Sequence, residues 1–334
     1  MTLQRQVPGV TAPTGTACPD WLGLRREADT RARDAGSADL LRELVRVLTG
    51  GGDRSGAPGA GGARAAAIGG VEEPGPGIDV VDLGAGTGAN QRYLEPRLPL
   101  PQRWTALDHD AEALEHPAHG DAERVVAGVE DLGRVLESRG GGAAQPVLVT
   151  CSALLDVLTT DRLEALAEGI VRHRCPALLA LTVTGEVRWS PADPEDDLVR
   201  EAFDGHQRRG GRPGPEAAEV LTRRLTEAGL AVRSAATPWR LGRDETDLLR
   251  RWLVERADAA VAQVREGAGR ARDEREPLAT TEGLLAWRDR RLRQLAGGQL
   301  AVEVGHVDLL ILPPGPVLPP DPPAAHSPAA HPPR

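Results

Sequence analysis

The sequence predicts an α/β fold, a doubly wound and mostly parallel sheet of seven strands. Short apolar runs alternate along the chain with segments of helical periodicity, the pattern that buries a parallel sheet between two helical layers. The first of these runs, Val80-Val81-Asp82-Leu83, breaks directly into Gly84-Ala85-Gly86-Thr87-Gly88. The next ends in Leu107-Asp108, so consecutive strands each carry a carboxylate at their tips.

Taken in order, Leu40, Leu41, Leu44, Val45 and Leu48 fall at helical spacing after the N-cap candidate Ser37, which predicts a helix within Trp21 to Leu48 leading into the sheet. Strands are expected at Asp79–Leu83, Trp104–Leu107, Arg124–Ala127, Pro146–Thr150, Ala177–Val183 and Leu230–Ser234, with a last one in Gln299–Leu312. Leu163, Leu166, Ala167 and Ile170 make one face of a helix over Asp161–Arg172. A helix over Pro215–Ala228 ends at Gly229, which suits a C-cap. Helical sequence around Asp244–Val264 and Thr280–Leu295 forms an insertion of about 240–296. Residues 1–18 are expected to fray, 50–70 to form a flexible Gly/Ala-rich insert and 313–334 a flexible proline-rich tail, leaving one domain over 19–312.

The glycines carry the chemistry. Without Cβ, Gly84, Gly86 and Gly88 let the chain turn sharply and approach a ligand, while the following helix offers free N–H groups. Asp82 suits an amine, and Asp108 closes the next strand where a doubly wound sheet presents an acid to ribose hydroxyls. A nicotinamide or flavin site is the rival, because Gly84-x-Gly86-x-x-Ala89 satisfies a looser dinucleotide pattern. Asp82 argues against it: a carboxylate repels a pyrophosphate and attracts an ammonium.

On these residues the chain resembles the class I S-adenosylmethionine-dependent methyltransferases. The resemblance runs over about 21–312, specific at the first two strands and generic after the fourth. It implies S-adenosyl-L-methionine as cofactor and a reversed last strand inserted beside the sixth. The implied cofactor residues are Asp82, Gly84, Ala85, Gly86, Gly88, Asp108 and its neighbour His109. Either Glu130 or Asp131, after the third strand, would meet the adenine. After the fourth, Thr150-Cys151-Ser152 to Asp156 would lie under the transferred methyl. Cys151 has no histidine partner in sequence and suits a buried small residue; Asp156 is a catalytic candidate or a helix cap.

Substrate-facing candidates lie in the loop expected at Phe203–Pro213, where Arg208, Arg209 and Arg212 suit an anionic molecule and His206 would be the general base if one exists; a solvated basic loop is the plainer alternative. Trp239 and Arg240 add a stacking surface and a cation, or simply pack.

Composition narrows the partners. The net charge is −9 and aromatic residues make up 2% of the chain, which disfavours nucleic acid and anionic membranes and favours a small molecule. All 40 basic residues are arginine, which removes Schiff-base lysine chemistry and the Walker A loop. Cys18, Cys151 and Cys175 form no paired set, so a reducing cytoplasm is expected, and no run is long enough to span a bilayer. Pro117 separates His116 from His119 and breaks the helix that a ligand pair would need, so no metal is expected. Oligomeric state is not legible. The expected activity is methyl transfer to a small molecule; the alternatives are an NAD(P)-dependent oxidoreductase and a non-catalytic binding protein of the same fold.

Overall fold

The computed structural model describes residues 19–49, 77–139, 146–267 and 280–313. Cys18 and the expected frayed start, Gly/Ala insert and proline-rich tail lie outside these residues, apart from Pro313.

The strands are β1 (Ile78–Leu83), β2 (Gln102–Asp108), β3 (Glu123–Val126), β4 (Val147–Ser152), β5 (Ala177–Ser190), β6 (Ala231–Ala236), β7 (Trp239–Leu241) and β8 (Ala301–Leu312). They form a sheet in the order β3-β2-β1-β4-β5-β8-β6, with β7 pairing β8 off the main path. The first five strands pair in parallel, and β8 runs antiparallel between β5 and β6. The reversed last strand is therefore present. Two features were not expected: the short strand β7, and the continuation of β5 past Val183 to Ser190.

The helices are α1 (Pro19–Gly36), α2 (Ala38–Leu48), α3 (Ala89–Leu94), α4 (Ala111–Leu114), α5 (Leu132–Ser138), α6 (Thr160–His173), α7 (Asp196–Gln207), α8 (Ala217–Glu227), α9 (Thr246–Gly267) and α10 (Thr281–Ala296). Where one helix was expected over Trp21–Leu48, two form. Ser37 stands at the break but does not cap α2; its hydroxyl donates to Asp308 Oδ2 at 2.6 Å. Gly229 does close α8, at φ +82°.

β1 is buried along its whole length, as the middle strand of a parallel sheet must be. Side-chain alternation sends Val81 and Leu83 into the core beneath α5, α6 and α8, and Ile78 and Val80 into the core beneath α2 and α3. Each of these four is fully buried, a contribution of roughly 1.5–3 kcal/mol apiece relative to exposure. A third core joins α1, α7, α9 and α10 to the outer halves of β5 and β8, with Trp239 and Trp287 fully inside it. This third core covers the end of the sheet where β4 and β5 emerge.

Candidate ligand site

Gly84, Gly86 and Gly88 follow β1 with φ of +60°, +52° and +75°, the left-handed region that glycine enters without strain. A Cβ on Gly84 would come within 2.8 Å of Leu154 Cδ1, so any larger residue there would also have to displace the Leu154 side chain. The loop is held at its middle from both sides. Gly86 N–H donates to Asp108 Oδ2 at 2.8 Å, and its carbonyl accepts from His119 Nε2 at 2.9 Å. His119 is wholly buried in a turn over Pro117–His119, pointing at the loop.

Asp82 is the fifth residue of β1 rather than part of the turn, and it faces the α3 side together with Ile78 and Val80. Its Oδ1 accepts from Asn90 Nδ2 at 2.7 Å, and Asn90 also donates to Thr150 Oγ1. Its Oδ2 is buried with no partner. Burial pushes the carboxyl up to about 7, against the pull of the Asn90 hydrogen bond and the Arg33 charge. Arg33, from α1 and buried, donates Nη1 to Asn90 Oδ1 at 2.9 Å; its Nε has no hydrogen bond and lies 3.7 Å from Asp308 Oδ2. Asp308 completes the chain by accepting from Leu181 N, Thr237 Oγ1 and Ser37 Oγ. Leu181 holds φ +55° at a bulge in β5, a strained position that the Asp308 bond secures. A polar relay thus runs from β1 through α3 and α1 to β8.

The residues fit a cationic amino-acid head. Asn90 separates an unpartnered acceptor on Asp82, which an ammonium would satisfy, from Arg33, whose Nε has Asp308 as its ion partner but makes no hydrogen bond. Asp108 retains lone pairs beyond those used by Gly86 N–H and Asp110 N, which a diol can use. Leu22 of α1 comes within 3.3 Å of a Cβ placed on Gly86, and the cleft between α1, α3 and the β4 and β5 tips has a volume of only about 20 Å³. Leu22 thus lies over the middle of the glycine loop.

This site stands where the sheet order reverses: the chain winds outward from β1 through β2 to β3, then returns to β4 on the other side. A parallel 3-2-1-4-5 half, followed by a reversed last strand lodged between the fifth and sixth, decides the architecture. The fold is that of the class I methyltransferases.

No protein-family model matches the chain, and no curated protein does. Among solved structures it is similar to a cyclopropane-fatty-acyl-phospholipid synthase-like protein from Lactobacillus casei, at 13% identity over 85% of this chain and 91% of that one, TM-score 0.39. It is also similar to an arsenic(III) S-adenosylmethionine methyltransferase from Chlamydomonas reinhardtii, at 14% identity over 73% and 66%, TM-score 0.35. A third is a putative sarcosine dimethylglycine methyltransferase from Galdieria sulphuraria, at 11% identity over 70% and 78%, TM-score 0.32.

The remaining expected ligand residues divide. Ala85 lies buried in the loop, its N–H donating to Leu107 O. His109 is more than half exposed, with Nδ1 3.1 Å from Asp108 Oδ1. Asp131 accepts from Gly128 N and pairs with Arg134, whose hydrogen bond holds it below the usual carboxylate range. Exposed Glu130 pairs with Arg162, its carboxyl folded over Gly128. Cys151 is the buried small residue that its lack of a histidine partner suggested, and it is not a ligand contact. It is fully buried in the core with Val81, Val149 and Leu179, on the face opposite Asp82, and burial pushes its thiol up.

The substrate-side residues are arranged differently from the expected loop. Phe203 to Gln207 finish α7, and His206 is buried in that helix, its pKa lowered by burial and then by the charges of Arg209 and Arg212. Arg208 pairs with Glu216, while Arg209 binds Gln263, Glu266 and the Ala262 carbonyl, tying α7 to α9. Arg212 donates to Gln207 O at 3.3 Å. These arginines are therefore held by the protein's own carboxylates and carbonyls rather than standing free for an anionic molecule. Trp239 is buried, donating Nε1 to Asp29 Oδ1, and Arg240 pairs on the surface with Glu303. Asp156 does not cap α6; Thr159 does, accepting from Arg162 N.

Arg33, Asn90, His119 and Gln207 were missed. Asn90 and His119 carried a faint signal, Asn90 in the first turn after the glycines and His119 in a proline-started turn. Arg33 and Gln207 carried none, because their partners are remote in sequence.

Proposed function

We propose that this protein binds S-adenosyl-L-methionine at the ends of β1, β2 and β4 and transfers its methyl group to a small molecule. The observation that carries the reading is the pairing of the left-handed glycine loop, clamped at Gly86 by Asp108 and His119, with the unpartnered buried oxygen of Asp82 beside it. In this reading Asp82 receives the ammonium, Arg33 the carboxylate and Asp108 the ribose diol. When bound, the cofactor supplies a sulfonium methyl that leaves a neutral thioether behind. The protein's part is to align the acceptor and exclude water, which the closure of α1 over the loop supports. The acidic surface and scarce aromatics support a small acceptor over a nucleic acid. Among the described residues, no helix is long and apolar enough to cross a membrane.

Titration calorimetry with S-adenosylhomocysteine tests this. One saturable site is expected, with NADH giving no heat; saturable NADH binding without S-adenosylhomocysteine binding would replace the reading with the oxidoreductase one.

A further inference from the structure

Two buried acceptor oxygens meet beyond β4 with no donor to satisfy them. Asp156 lies in a single turn over Leu155–Val157, is 7% exposed, and its Oδ1 has no hydrogen bond. The side-chain oxygen of Gln207, the last residue of α7, is also buried and unpartnered. Gln207 Nε2 donates to Asp156 Oδ2 at 3.5 Å, which leaves Asp156 Oδ1 and Gln207 Oε1 as the two unused acceptors of the pair. The pair is beside the glycine loop: Leu154, two residues before Asp156, is the side chain packed over Gly84.

The cations nearby do not reverse this polarity. Arg25 is engaged by Asp29 at 2.7 Å, and Arg212 by the Gln207 carbonyl. A carboxylate or phosphate seated here would face two acceptors and leave both buried oxygens without donors. A group that brings two hydrogens, an NH2 or a pair of adjacent O–H groups, would satisfy both.

We propose that Asp156 and Gln207 seat the methyl acceptor through an N–H or O–H group and that Asp156 takes its proton during transfer, an inference that rests on the methyl-transfer reading above. The acceptor's lone pair forms the new bond to the methyl carbon as the carbon–sulfur pair returns to sulfur. The N–H or O–H proton passes to Asp156 Oδ1. A sulfonium and a carboxylate become a thioether and a carboxylic acid, so charge balances. Burial, opposed by Arg25 and Arg212, raises Asp156 to about 6, which suits a group that is ionised before the step and protonated after it.

The test uses the full chain, tritiated S-adenosylmethionine and the dialysable fraction of a cell extract as acceptor pool. One portion of the pool is acetylated, which blocks nucleophilic amines and hydroxyls; another is reductively methylated, which removes amine N–H but spares hydroxyls. Acetylation is expected to abolish labelling, and the reductively methylated portion separates an amine, which loses label, from a hydroxyl, which keeps it. Label that survives acetylation, as a carboxylic ester would, overturns the proposal. Asp156→Asn is expected to lower turnover on the order of a hundredfold, the usual scale for a lost general base, with S-adenosylhomocysteine affinity within about threefold of wild type. Gln207→Leu is expected to raise the acceptor KM about tenfold, the equivalent of one lost hydrogen bond, with kcat nearly kept. Wild-type turnover in both variants would mean that the oxygens hold only buried water, and the proposal falls. If the untreated pool takes no label, the methyl-transfer reading itself fails.

Discussion

Gly86 donates its backbone N–H to the carboxylate of Asp108 at 2.8 Å, joining the turn after β1 to the tip of β2. The same glycine's carbonyl is held by His119, so both polar groups of one residue are fixed by side chains from other elements. Asp108→Ala removes one hold and leaves a partly buried N–H unpaired, at a cost of about 1–3 kcal/mol. The expected outcome is a matching fall in denaturation free energy together with at least tenfold weaker S-adenosylhomocysteine binding by calorimetry. His119→Leu should weaken binding similarly, and His119→Gln, which can still donate, should restore most of it.

Asp82 makes stability fall with rising pH. Its carboxyl titrates near 7 in the folded protein against an ordinary value of 3.8, with Arg33 and Asp108 the charged groups that face it. The folded state therefore holds a proton that the unfolded state releases. Stability from this group is complete below the ordinary value and is lost as pH climbs through about 7, a decline of up to about 4 kcal/mol at about 1.36 kcal/mol per unit. Urea denaturation across that range should show the slope in wild type and its loss in Asp82→Asn. An ammonium docked against Asp82 would favour the ionised carboxyl, so calorimetry near neutral pH in buffers of different ionisation enthalpy should report proton release on binding.

Asp308 gathers three hydrogen bonds and the charge of Arg33 in a site closed to solvent. Removing it strands a buried guanidinium and frees the strained turn at Leu181. Asp308→Ala is expected to cost about 3–5 kcal/mol, the scale for one partner lost from a buried ion pair. Limited proteolysis should then cut α1, because that helix loses the anchor at its C-terminal end.

Leu22 packs over Gly86 from the other end of α1. Its truncation to alanine should ease opening while leaving the Arg33 anchor intact. Stopped-flow mixing with S-adenosylhomocysteine is expected to show association several-fold faster than wild type, with little change in the site itself; an unchanged rate would show that α1 does not gate it.

The sheet and the glycine turn were legible because their determinants are local. Val80 to Gly88 contains its own strand, its own turn and the residues that need left-handed φ, and Asp108 ends the next apolar run. What held those pieces together was not legible. Arg33 meets Asn90 across 57 residues, and Ser37 reaches Asp308 across 271, distances over which no spacing rule operates. Ser37 shows the difference: its position satisfied a helix-cap pattern, yet its hydroxyl is turned to donate to a buried carboxylate on β8 and accepts nothing from the first N–H groups of α2. The expected loop at Phe203–Pro213 failed for a related reason, since Arg208 and Arg209 find carboxylates just before α8 and on α9, and its first residues complete the helix α7 begun at Asp196.

The placement of β8 bears on how the protein is made. It fills the gap between β5 and β6, yet it is the last strand translated among those described. A ribosome that has synthesised everything through α10 holds a nascent chain with two unsatisfied strand edges facing an empty lane, and Asp308, the anchor for α1, has not yet emerged. Both the closing of the sheet and the fastening of its first helix are thus deferred until synthesis of the described chain is nearly finished, leaving exposed edges open to mispairing with neighbouring chains during that interval.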